Sequence, residues 1–167
     1  MVQDDSIWMK LASTPFGDWI ATSPFAFPAI ETVHVFALVT VLGSIFVMDL
    51  RLIGFASKDT PVTKVASDTL KLTWIGFILA LITGSMMFIG KANTYAVNPY
   101  FWIKMGLLAV AGLNMLFFHF VTWKGVKDWD TLADIPGAVK FAGFSSLVLW
   151  IVITFFGRAI GFTLGMY

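Results

Sequence analysis

The sequence predicts an all-α fold: an integral membrane, antiparallel four-helix bundle with a short N-terminal interfacial segment. Composition is the first observation behind this. Of 167 residues 58% are hydrophobic and 13% charged, whereas a soluble domain carries about 25% charged residues; the mean hydropathy of +0.84 agrees. The second is the set of four apolar stretches, approximately 28–55, 68–90, 99–123 and 137–164. Each reaches the roughly 20 residues needed to cross a hydrocarbon core about 30 Å thick at about 1.5 Å per residue. The loops between them are short, which favours antiparallel neighbours. With no internal repeat, residues 1–167 read as one transmembrane domain.

The elements follow in chain order. The N-terminus, MVQDDSIWMK, is acidic and lacks a basic region ahead of an apolar core, so it does not read as a cleavable signal peptide. SIWMKLASTPFGDWIATSPF is mildly amphipathic, with Ile7, Trp8 and Leu11 on one helical face, and reads as a short segment lying on the membrane. Pro28, Pro99 and Pro136 stand at or just before helix starts, where a missing N–H costs little. Ser67 or Asp68 can cap the second span.

Orientation follows the Lys and Arg count. Seven such residues, Arg51, Lys58, Lys64, Lys71, Lys124, Lys127 and Lys140, fall on the side of the first and third loops, against Lys10, Lys91, Lys104 and Arg158 on the other. Both termini are expected to lie outside a bacterial cytoplasmic (inner) membrane. A net charge of +1 without a basic run excludes nucleic acid as a partner, and the absence of cysteine excludes disulfides, thiolate metal sites, iron–sulfur clusters and covalent haem.

Ionisable residues inside a membrane are costly and mark function or pairing. One layer, near the outer ends of the spans, holds Glu31, His34, Met86, Met87, Lys104, Met105 and Arg158; an inner layer holds Asp49, Arg51, Lys71, Asn114, His119 and Lys140. Glu31 and His34, three apart, share a helix face. In one reading Glu31 and Arg158 form a structural ion pair beside a hydrogen-bonded His34. In the other, His34 is an axial ligand of a haem iron, Arg158 meets a propionate, and Met86, Met87 or Met105 supplies a second ligand. In the inner layer Arg51 snorkels to the headgroups, leaving Asp49 to pair with His119, Lys71 or Lys140. His119 sits between Phe118 and Phe120, a setting suited to a flat macrocycle. His34 and His119 differ in depth by roughly 20 Å at 1.5 Å per residue, so they cannot ligate one iron within a protomer.

Three segments, ETVHVFALVTVLGSIFVMDLRLIG, GLNMLFFHF and FFGRAIGF, together resemble an uncharacterised bacterial four-span membrane protein family, a domain of unknown function. That family is loosely similar to copper-resistance D-like and cytochrome b561-like bundles. The resemblance spans roughly residues 28–162 and implies that His34 and His119 are the positions able to inherit haem ligation. Bundles of the b561 type pair histidines across helices, and here each level has a single one.

Three functions follow as expectations. The first is a b-type haem protein carrying electrons to or from quinone or a larger membrane redox complex, with haem b at His34, at His119 or at both. The second is a cofactor-free accessory or assembly subunit, as a homo- or hetero-oligomer. The third is a transporter of protons, copper or a small solute.

Overall fold

The computed structural model describes residues 6–131 and 135–166. Both chain ends, whose external placement was expected, lie outside these residues. Among the described residues eight α-helices follow in order: α1 Ile7–Ala12, α2 Pro15–Thr22, α3 Ala26–Leu52, α4 Val62–Gly90, α5 Ala92–Val97, α6 Pro99–Phe117, α7 Val126–Trp129 and α8 Gly137–Thr163. Between α6 and α7 the chain passes through a π-turn, Phe118–Thr122, and a 3₁₀ turn, Trp123–Gly125. Four helical segments are long and apolar enough to cross a membrane, and the protein is a multi-pass membrane protein.

The long helices pack in two antiparallel pairs, α3 with α4 and α6 with α8, joined along a seam between α3 and α8. Small residues let these backbones approach, as in other membrane bundles. A Cβ at Gly76 of α4 would stand 2.9 Å from Val41 Cγ2 and 3.1 Å from the Ala37 carbonyl; one at Gly143 of α8 would stand 2.9 Å from Leu52 Cβ and 3.2 Å from the Asp49 carbonyl. Thr73 donates to Ser44 across the first pair at 2.8 Å. The outward faces carry Phe36, Leu81, Phe120 and Phe155, all exposed; in a bilayer these are the lipid-facing side chains.

One end of the bundle, the α5 end, carries α1, α2 and α5. The segment expected to lie on the membrane forms α1 and α2, which dock on α5, α4 and α3, with Ile20 seated against Gly90. The opposite, α7 end holds the main buried cluster: Met48, Leu52, Val62, Val65, Ala66, Trp129, Ile135 and Val139.

Two expectations are corrected at the α7 end. The second long helix starts at Val62, not near Asp68, because its cap comes from a distant residue: Asp130 accepts from Thr63 N–H at 2.8 Å and from Thr63 Oγ1 at 2.7 Å. Asp68 instead pairs with Lys64 one turn away at 2.6 Å. Arg51 does not snorkel to lipid; it is 1% exposed. The chain folds over it, and its Nε donates to the Thr60 carbonyl at 2.7 Å and its Nη2 to the Asp130 carbonyl at 3.4 Å. That fold-back begins with a Schellman turn after α3, in which Gly54 (φ 76°) takes the left-handed position and Phe55 N–H reaches the Leu50 carbonyl.

Candidate functional site

His34 and Thr83 lie at similar depths because α3 and α4 are antiparallel. His34 Nδ1 and Thr83 Oγ1 are 2.8 Å apart. The Thr83 hydroxyl hydrogen is already given to the Leu79 carbonyl, 2.7 Å away, so Oγ1 accepts from His34 and Nδ1 carries the proton. In that arrangement the neutral ring is the Nδ1–H tautomer, and the Ala80 backbone is a further hydrogen-bond partner of the imidazole. An imidazole held by a hydrogen bond from its other nitrogen is the usual preparation of a metal ligand. Gly84 lies beside the ring, where a Cβ would stand 3.2 Å from His34 Cε1.

The cation facing this imidazole is Lys104 of α6, within electrostatic reach of His34. Its Nζ would be 3.5 Å from a Cβ at Gly157 of α8, so the glycine gives the side chain its path. Among the described residues the Lys104 ammonium meets no carboxylate. Met87 lies one turn beyond Thr83 and Met105 beside Lys104; both, like Met86, are half-buried.

Toward the α5 end an aromatic cluster closes the space between α4 and α6. Phe88 stacks on Phe101 at 5.2 Å, Trp8 meets Phe88 at 5.7 Å and Trp102 at 6.5 Å, and Tyr95 packs on Phe101 at 5.8 Å. Burial, then the nearby Glu31 carboxylate, pushes the Tyr95 phenol from 10.0 up to about 12. The unfolded chain therefore releases a proton between pH 10 and 12 that the folded chain keeps. The contribution is complete below pH 10 and is lost as pH rises to 12. A loss of about 2 kcal/mol across that window is expected. Thermal melts at alkaline pH check this: Tyr95→Phe must remove part of the decline, and an unchanged decline contradicts it.

The other sequence-picked residues are dispersed. Among the described residues Glu31 and Arg158 form no ion pair. Glu31 is exposed on the side of Tyr95, whereas the Arg158 guanidinium runs along α8 over the Phe162 ring at 5.0 Å. His119 lies in the π-turn near the α7 end, exposed, its ring against Phe120 at 5.4 Å. Phe118 is turned toward the buried cluster, which leaves the next residue facing outward. Asp49 faces Ser146 in the α3–α8 seam, 5% exposed, with Oδ2 lacking a hydrogen-bond partner; the outward-facing His119 does not meet it. Among the described residues no three or more His, Cys, Asp or Glu side chains gather as a metal site.

Sequence reading missed Thr83 and took Arg158, not Lys104, as the cation at His34. A depth count would have found the first, since Thr83 and His34 lie seven and eight residues from the ends of their helices at the α5 end. The second depends on how α6 and α8 are rotated.

Against this geometry, the chain matches the model of a family of unknown function (DUF6644) over residues 8–163. The chain belongs to this family. The match takes in α1 and α2 as well as the four long helices, so the aromatic cap and the His34 level both fall within the family's extent. No curated protein and no solved structure matches the chain.

Proposed function

We propose that the protein is a membrane-embedded b-type haem carrier, holding one haem per chain at His34. The observation that carries this reading is the His34–Thr83 hydrogen bond, which orients the ring through Nδ1. The residues that would hold the group are at hand: His34 would give the iron a ring nitrogen, Met87 or Met105 would be the second ligand, and Lys104, without a carboxylate of its own among the described residues, would meet a propionate. This replaces Arg158 in that role. Haem supplies a one-electron couple there, and quinone or a larger membrane redox complex is the exchange partner. His119, exposed to lipid, holds no second haem within a protomer.

The test is the reduced-minus-oxidised visible spectrum of the purified protein after expression with ample haem. Bands of a b-type cytochrome are expected; a colourless protein overturns the reading. Thr83→Val should weaken haem retention by about 10–100-fold, the usual cost of losing the group that orients a ligand.

A second reading, the cofactor-free accessory subunit, is favoured by α6, which has no buried residue along its whole length. Trp102, Ile103, Val110, Leu113 and Leu116 leave it open to a neighbouring protein as well as to lipid.

The proposed site is a bacterial inner membrane, with both termini external. The seven-to-four excess of Lys and Arg on the side of the α7 end motivates this. Reporter fusions after Thr60 and after Asp130 should read cytoplasmic, and one after Tyr167 external. An external reading at Thr60 reverses the orientation.

A further inference from the structure

Arg158 is left over from the site at His34, and its surroundings differ from those of Lys104. It borders an open groove of about 270 Å³ between α6 and α8, lined by Tyr100, Phe155, Arg158, Ala159, Phe162 and Thr163. We propose that this groove holds the phosphodiester headgroup of an anionic phospholipid, in the leaflet at the α5 end.

Depth comes first. Arg158 lies five residues before the last residue of α8, Thr163, hence about 7.5 Å below the helix end. Its guanidinium carbon stands 5.0 Å from the centre of the ring of Phe162, a residue one turn nearer that end. A cation whose stem lies in hydrocarbon and whose charge rises to the headgroup level is the snorkelling arrangement.

The charge comes next. Among the described residues no carboxylate meets the guanidinium, and an arginine at this depth needs a counter-ion. Its planar fork suits two oxygens of one phosphate. The other donor on the rim is the Tyr100 hydroxyl. Thr163 offers none, because its hydroxyl donates to the Ala159 carbonyl at 2.8 Å and accepts from Asn98 Nδ2 at 2.9 Å.

The apolar wall decides between a lipid and a free anion. Phe155 and Phe162 are exposed beside the groove, and Ala159 between them keeps it open, so an acyl chain has a surface to follow. A free phosphate uses none of it. An anionic headgroup gains more from the cation than a zwitterionic one, whose own positive charge opposes the guanidinium.

The test uses the full chain, purified in neutral detergent and stripped of lipid. Phosphatidylglycerol, phosphatidylcholine with the same acyl chains, and inorganic phosphate are added separately. Bound lipid is read by native mass spectrometry and stability by melting temperature. Phosphatidylglycerol is expected to bind and to raise the melting temperature, with the other two well behind. Arg158→Gln should weaken phosphatidylglycerol binding by about tenfold or more, and Arg158→Lys by less, since it keeps the charge and loses the fork. Melting in phosphatidylcholine should be the same for Arg158→Gln and the unaltered chain, which shows that the variant folds. Equal binding of the two lipids, undiminished binding by Arg158→Gln, or equal stabilisation by inorganic phosphate overturns the proposal.

Discussion

Replacing Arg51 with leucine should destabilise the protein by about 3–5 kcal/mol and open the α7 end. Arg51 is 1% exposed and binds the carbonyls of Thr60 and Asp130, one from each of the two segments that close that end. The Asp130 carbonyl also accepts from Val62 N–H at 3.1 Å, and its carboxylate caps Thr63. Leucine fills much of the space and strands both carbonyls beneath the loops, and buried acceptors without donors cost more than the bonds contributed. Arg51→Lys should recover only part, because one ammonium does not reproduce the spread of Nε and Nη2. Thermal unfolding in detergent, with limited proteolysis near Thr60 and Asp130, reads both effects. A melting temperature unchanged in Arg51→Leu contradicts the latch.

The second large effect concerns the helix seams. Gly143→Leu and Gly76→Leu should each lower stability by about 1–3 kcal/mol or more, the range for overfilling a packed interface. The obstruction at Gly143 is backbone, the Asp49 carbonyl 3.2 Å from a Cβ, together with Leu52 Cβ at 2.9 Å. Neither yields without moving α3 away from α8. Gly106, on α6, provides the control: a Cβ there meets nothing within 4 Å, so Gly106→Leu should cost nothing and gain up to about 1 kcal/mol from the better helix propensity of leucine. Equal loss in all three would contradict close approach as the cause, since leucine is a better helix former than glycine at every one of these positions.

The four long helices were legible because lipid leaves the backbone few choices, and each span must carry about 20 apolar residues whatever its neighbours. What was not legible depends on groups that meet only after folding. The start of α4 is capped at Thr63 by Asp130, 67 residues away, and local pattern placed it near Asp68. Arg51 looked like a snorkelling cation because it stands near a helix end; the loops that cover it are polar and carry no signal of where they fold. Depth counting put Lys104 and Arg158 in one layer with His34, yet the rotation of α6 and α8 sends Lys104 over Gly157 and Arg158 over Phe162. His119 was misjudged as a partner for Asp49 because the π-turn at Phe118–Thr122 has no sequence signature here, and it is Phe118, not His119, that faces the core.

We propose that His34, oriented by Thr83, is the one histidine of this chain that holds haem. Haem content per chain of the unaltered protein, His34→Ala and His119→Ala, purified in parallel, tests it most directly. One haem, none and one, respectively, are the values this account predicts, with all three proteins melting in a comparable range. Haem retained in full by His34→Ala, or lost on replacing His119 alone, would contradict it.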